Sequence, residues 1–123
     1  MLSNQEQLKY SRQIILDKIG TPGQIALRNA KVLILGVGGL GNPASLYLAA
    51  AGVGTLYIAD GDCIEVSNLP RQILFSEDNI DENKADVAAE KLQQQFPDVT
   101  IEAIDEMFDE ELCDYYLPQV DLV

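Results

Sequence analysis

A chain of 123 residues has the length of one domain, and its 47% of hydrophobic residues suffices for a single core. Twenty acidic residues against eight basic ones leave a net charge of −12, which repels phosphate backbones and anionic lipid and argues against nucleic-acid and membrane-surface partners. Histidine is absent, so the commonest general base is unavailable, and the two cysteines, Cys63 and Cys113, make neither a disulfide framework nor half of a zinc site.

The N-terminus from Met1 to Glu6 lacks a basic start and an apolar run, and no stretch approaches membrane-spanning length, so a reducing cytoplasm is the expected location. Residues 1–30 are expected to form an N-terminal helical arm. Leu8, Ile14, Ile15 and Ile19 recur at roughly helical spacing from about Ser3 to Lys18, Gly20-Thr21-Pro22-Gly23 interrupts them, and a short helical piece runs from about Gly23 to Arg28.

The apolar run Lys31 to Leu35 reads as a strand, and Gly36-Val37-Gly38-Gly39-Leu40-Gly41 follows it directly. Glycine permits a tight bend and a close backbone approach, and the helix expected from about Leu40 to Ala51 presents unpaired N–H groups and a positive dipole end to an anion. Gly36, Gly38, Gly39 and Gly41 are therefore candidate nucleotide contacts. The small residues Ala44, Ser45, Ala49, Ala50 and Ala51 allow that helix to lie close on a sheet, and Gly52 is placed for a left-handed cap. A second strand, Thr55 to Ala59, ends at Asp60, the position of the acid that bonds ribose hydroxyls in a dinucleotide-binding unit.

Gly61 to Gln72 is too long for a plain turn, and long loops at the carboxyl ends of parallel strands are where ligands sit. A helix from about Lys84 to Gln95 places Val87, Ala88, Leu92 and Phe96 on one face. Asp98 to Ile104 reads as a third strand, and a short helix from about Glu110 to Leu117 precedes Val120 to Val123, which looks like the start of a fourth buried strand. The expectation is an α/β, Rossmann-like, doubly wound and mainly parallel sheet over residues 31–123, belonging to a longer protein.

Three of the eight basic residues stand at landmarks. Arg12 lies in Tyr10-Ser11-Arg12-Gln13, Arg71 in Ser67-Asn68-Leu69-Pro70-Arg71-Gln72, and Lys84 opens the helix expected from about Lys84 to Gln95. Each has a bland reading: Arg12 as a solvated helix residue, Arg71 paired with Asp60 or Asp62, and Lys84 paired with Asp81 or Glu82.

The order Tyr-Ser-Arg-Gln, Gly-x-Gly-Gly-Leu-Gly, Asp-Gly-Asp at 60–62, Ser-Asn-Leu-Pro-Arg-Gln and a downstream lysine resembles the adenylation domain of the ThiF/MoeB/HesA family, relatives of ubiquitin-activating enzymes. The resemblance covers essentially the whole chain, and Tyr10 to Ile15, Ala51 to Leu56 and Arg71 to Phe75 lean toward ThiF, the thiamine-pathway member. It implies ATP-dependent adenylation of the C-terminal Gly-Gly carboxylate of a ubiquitin-like sulfur carrier protein of ThiS or MoaD type, with release of pyrophosphate. The pathway would be thiamine or molybdenum cofactor biosynthesis. A carboxylate nucleophile is ionised at neutral pH and needs no base, which accommodates the absence of histidine.

By the same resemblance, Gly38, Gly39 and Gly41 would lie against the nucleotide, and Asp60 would hold the ribose. Asn68, Arg71 and Lys84 would bind the triphosphate, and Asp62 would help to place magnesium or a phosphate-binding residue. Arg12 would reach in trans into the other subunit of a homodimer. The family's magnesium acid, its two CxxC zinc pairs and its sulfur-transfer cysteine fall beyond Val123, so Cys63 and Cys113 are expected to be structural and Zn2+ to belong only to a C-terminal part. Two other readings fit the glycine turn: an NAD-dependent oxidoreductase domain, which leaves Asn68, Arg71 and Lys84 unexplained, and a non-catalytic dimerising remnant of the fold.

Overall fold

Three five-residue strands, β1 (Lys31–Leu35), β2 (Thr55–Ala59) and β3 (Thr100–Ile104), pair in parallel in the order β1-β2-β3 in a computed structural model that describes residues 1–123. Lys31 stands opposite Thr55, and Thr55 opposite Thr100, so the strands start and end level. Their side chains alternate between two faces. Val32, Leu56 and Ile58 join a core with helices α4 (Gly41–Ala51) and α5 (Lys84–Gln95), whereas Leu33, Tyr57, Ala59 and Ile104 pack on the other face with Tyr116 of α6 (Glu110–Tyr116). Helices thus cover both faces, as a doubly wound α/β sheet requires.

Leu33, Leu56, Ile58, Ile64 and Leu92 are at most 1% exposed. Burial of each such side chain contributes about 1.5–3 kcal/mol, and truncating Leu56 to alanine would cost about 2–5 kcal/mol. Local signals set the helix boundaries. Asn83 caps α5 by accepting the Asp86 N–H at 3.0 Å, and Gly52 closes α4 at φ +93°, the left-handed cap expected there.

The last residues lie along the edge of β1 that β2 leaves open. Leu33 N–H donates to the Leu122 carbonyl at 2.9 Å, and Asp121 N–H to that of Lys31 at 2.8 Å. Across the sheet the sequence is therefore this segment, then β1, β2 and β3, with the winding direction reversing at β1. Ligand crevices form beside the carboxyl end of the strand where that reversal occurs. The segment pairs as a starting strand, but Leu122 is 61% exposed, because no element among the 123 residues packs over it.

The arm differs from the expected helix over about Ser3 to Lys18 followed by a short piece. It comprises α1 (Asn4–Lys9), α2 (Ser11–Ile14) and α3 (Gly20–Asn29), with the break at Tyr10. Tyr10 is buried against Gly52, and Gln13 donates to the Ala51 carbonyl at 2.7 Å and to the Gln24 side chain. The arm is thus held by polar side chains at the C-terminal end of α4, while Leu8 and Ile15, 78% and 77% exposed, are left outside the core.

Candidate nucleotide-binding site

The turn after β1 closes on itself. Gly36 adopts φ +93°, and a Cβ placed on Gly41 would lie 1.9 Å from the Gly36 carbonyl oxygen, so only glycine fits at position 41. Leu40, at the start of α4, offers no side-chain cap, and the N–H groups of Gly38, Gly39, Leu40 and Gly41 donate to no acceptor within the protein. An uncapped helix start carries roughly half a positive charge, and its free donors suit an anion.

Asp60 stands at the end of β2 beside this turn. One carboxylate oxygen accepts the Val37 N–H at 2.9 Å and the other accepts the Asp62 N–H at 2.8 Å. Each oxygen keeps a further lone pair for a hydroxyl donor. Gly36, Asp60 and Asp62 line a cleft of about 260 Å³ that Met107 and Phe108, from the segment after β3, close on the far side.

Asp62 is also a wall of a second pocket, again of about 260 Å³, shared with Cys63, Glu65, Asn68 and Lys84. The start of α5 is anchored there: Asn83 donates its side-chain N–H to the Asp60 carbonyl at 2.9 Å, and Lys84 N–H donates to the Asp62 carbonyl at 3.0 Å. Lys84 is only 8% exposed, yet its ammonium has neither a hydrogen bond nor an ion pair, since the salt bridges of the protein are Lys9–Asp98 and Arg28–Glu6. Asn68, 6% exposed, accepts the Glu65 N–H at 2.8 Å through Oδ1 and leaves its Nδ2 free.

Arg71 runs its stem beside Gly39, where an added Cβ would stand 3.8 Å from Arg71 Cδ, and donates to the Ser67 carbonyl at 2.9 Å. The bland pairings of Arg71 with Asp60 or Asp62, and of Lys84 with Asp81 or Glu82, are absent. A lysine whose stem is buried while its ammonium opens on a pocket without an ion pair is a donor free for an anionic group.

Gly36, Gly38, Gly39, Gly41, Asp60, Asp62, Asn68, Arg71 and Lys84 therefore gather at the carboxyl ends of the strands. Arg12 does not join them. Its helix is tied through Gln13 to Ala51, at the far end of an α4 that is about 16 Å long, and its own side chain is exposed.

Three site residues escape the sequence reading. Met107 and Phe108 follow β3, where the rule that ligands lie beyond strand carboxyl ends points to them. Gln72 is 3% exposed, its Oε1 has no partner, and its Nε2 lies beside Gly38. Its place at the end of the Ser-Asn-Leu-Pro-Arg-Gln motif is the signal that points to it. Cys63, expected to be structural, is an exposed free thiol on the pocket wall, whereas Cys113 is half-buried on α6. No group of three or more histidine, cysteine or acidic side chains stands close enough to hold a metal ion, and no helix is long and apolar enough to cross a membrane.

Known proteins resemble the chain over most of its length. Residues 10–123 match the sequence model of the ThiF family. The sulfur carrier protein ThiS adenylyltransferase of Escherichia coli K12 is 44% identical over 122 residues, covering 99% of this chain and 49% of that protein. The molybdopterin-synthase adenylyltransferase of Haemophilus influenzae is likewise 44% identical over 122 residues, covering 99% and 50%. Among solved structures, E. coli MccB with ATP superposes with a TM-score of 0.75 at 36% identity, covering 87% of this chain and 33% of that one. The chain spans about half the length of these two adenylyltransferases.

Proposed function

The chain belongs to the ThiF family, and on that premise we propose that it forms the nucleotide-binding half of an enzyme that uses ATP to adenylate the C-terminal carboxylate of a ubiquitin-like sulfur carrier protein. In this reading residues 1–30 serve as an arm and residues 31–123 as the nucleotide unit. The carrier carboxylate attacks the α-phosphorus, the bond to the β-phosphate oxygen breaks, and pyrophosphate leaves. No general base takes part, because the nucleophile is already ionised. The work left to the protein is positioning and neutralisation of phosphate charge.

The observation that carries the reading is Lys84: buried, unpaired, and in a pocket contiguous through Asp62 with the cleft that Asp60 lines. Asp60 would accept from the ribose hydroxyls, and the free N–H groups of Gly38 to Gly41 would donate to phosphate oxygens. Arg71 would grip the same phosphates as a fork, and Lys84 would act as a point charge with Asn68 as a neutral donor. A dinucleotide's pyrophosphate is largely served by the glycine turn alone, so an NAD-dependent reading leaves Lys84 and Asn68 without a purpose. No cluster of three or more metal-ligating side chains is present, so magnesium would enter with the nucleotide, held largely by its phosphates.

The relatives from the thiamine and molybdenum pathways match at equal identity, so a carrier of either ThiS or MoaD type suits the reading. A homodimer with Arg12 reaching in trans toward the phosphates is part of the same proposal. It is supported by the exposed Arg12 and by Ile15 and Leu16, 77% and 54% exposed next to it, an apolar surface that a second copy would cover. Incubation of the complete enzyme that contains this half with Mg-ATP and a carrier, followed by mass spectrometry, tests the activity. A carrier acyl-adenylate is expected; its absence, with ATP bound, would leave a nucleotide-binding remnant instead.

A further inference from the structure

We propose that Cys63 is a modification site at the mouth of the phosphate pocket, where mixed-disulfide formation with a small disulfide and polyphosphate binding exclude one another. The inference rests on the pocket assigned above and adds its regulation.

Cys63 is an exposed free thiol, and it shares the pocket of about 260 Å³ with Lys84 and Asn68. Those two are 8% and 6% exposed, and each has an unbonded polar nitrogen, so the pocket is built to receive an acceptor-rich group rather than to stay empty. The backbones that carry the thiol and the ammonium are tied to one another. Cys63 forms an antiparallel bridge with Asn83, the residue before Lys84, and the clamp is completed by Ile64 N–H to the Glu82 carbonyl at 2.9 Å and Lys84 N–H to the Asp62 carbonyl at 3.0 Å. A group attached to the Cys63 sulfur therefore competes for the pocket that Cys63 and Lys84 both line, the volume that phosphate oxygens would need.

Asp62 and Glu65 also face this thiol, and the chain carries a net charge of −12, so an uncharged disulfide is the better reagent class. In the step, the Cys63 thiolate attacks one sulfur of the small disulfide. The old S–S bond breaks as the new one forms, and the departing small thiolate takes up the proton that Cys63 lost. Cys63 is thereby oxidised and the departing half is reduced, and a thiol reductant reverses the exchange. Cys113 lies on α6, on the opposite face of the sheet, and serves as an internal control.

The test treats the unmodified protein with 2-hydroxyethyl disulfide and follows each cysteine by peptide mass mapping, with and without tripolyphosphate or Mg-ATP. Either polyphosphate is expected to slow modification of Cys63 about tenfold or more at saturation while leaving Cys113 unaffected, since adduct and ligand compete for one volume. The Cys63 adduct is expected to weaken Mg-ATP binding by a similar factor, with recovery on adding dithiothreitol and no effect of the reagent on a Cys63→Ala protein. Unchanged modification rates under both polyphosphates, or an adduct that binds Mg-ATP normally, overturns the inference. Protection by tripolyphosphate without any acyl-adenylate would uphold the Cys63 site and sink the adenylation reading. Normal adenylation by the adduct would do the reverse.

Discussion

The carboxylate of Asp60 and the backbone N–H of Val37 meet at 2.9 Å, joining the end of β2 to the glycine turn after β1. With its second oxygen on the Asp62 N–H at 2.8 Å, Asp60 fixes the two loops that flank the cleft, and the residue proposed to hold the ribose also shapes the site. Asp60→Asn keeps a single side-chain acceptor and turns an NH2 group toward one of the two N–H donors. Leaving one donor unmatched costs about 1–3 kcal/mol. The expected outcome is a lower melting temperature together with weaker Mg-ATP binding, read by thermal denaturation and calorimetry; an unchanged melting temperature would show that the two N–H contacts do not matter to the fold.

The glycines of the turn separate into two kinds. At Gly41 a Cβ would stand 1.9 Å from the Gly36 carbonyl oxygen, whereas at Gly39 it would meet only the flexible stem of Arg71 at 3.8 Å. Gly41→Ala is expected to lower the melting temperature by roughly 10 °C or more, a severe backbone clash for a domain of this size. Gly39→Ala should leave stability near that of the parent yet reduce ATP affinity by narrowing the anion site. Equal losses of stability in the two variants would contradict the division.

Lys84 offers a separation of stability from binding. The stem of Lys84 is buried and its ammonium, which opens on the pocket, has no partner within the protein, so Lys84→Met removes the charge while keeping the stem's volume. Thermal stability should be equal to or above that of the parent, and ATP affinity should fall by about tenfold or more, the scale of one charge-assisted phosphate contact. A destabilised Lys84→Met protein would mean that the lysine serves the fold.

How much of this is legible in the sequence depends on the range of the forces involved. Gly36 to Gly41, Asp60 and the cap at Gly52 are fixed by local backbone geometry, so the residues announce them. Val32, Leu56 and Ile58 are equally readable, because burial on a parallel sheet leaves short apolar runs. The arm is not readable in this way. Leu8 and Ile15 have helical spacing, but Tyr10 is held by Gly52, and Gln13 by the carbonyl of Ala51, partners distant in the chain. The burial of Lys84 and the closing of the cleft by Met107 and Phe108 likewise arise only when separate strands are laid side by side. Leu122 shows the opposite limit: it pairs as a strand residue, as expected of a starting strand, but burial needs a covering layer that pairing alone does not supply.

Asp86 gives a pH-dependent expectation. Burial, and then the nearby charge of Asp105, raise its carboxyl above the ordinary value of 3.8. An acid whose folded pKa is raised binds its proton more tightly in the native state, so its ionisation weakens the fold. Stability is lost as pH rises from that ordinary value through the raised one, and the loss persists at neutral pH. Asp86→Asn, which keeps the backbone N–H bond to Asn83, should raise the melting temperature slightly at pH 7, by about a degree for so exposed a group. The gain should vanish below pH 4. A gain that grows on acidification would reverse the sign worked out here.

Arg12 can be tested by mixing subunits. If it acts in trans, a dimer of Arg12→Ala with Lys84→Ala contains one doubly damaged site and one intact site, so an equal mixture should recover about a quarter of parental pyrophosphate exchange, from hybrid dimers alone. No recovery after verified subunit exchange would place Arg12 outside the neighbouring site.

The most direct measurement of the triphosphate pocket is calorimetric titration of the 123-residue chain with Mg-ATP and, separately, with NAD at low salt, repeated on Arg71→Ala. Binding of Mg-ATP in preference to NAD, weakened about tenfold or more when the forked grip of Arg71 is removed, is the expected result. Preference for NAD, or ATP binding indifferent to Arg71, would contradict a pocket formed by the glycine turn, Asn68, Arg71 and Lys84.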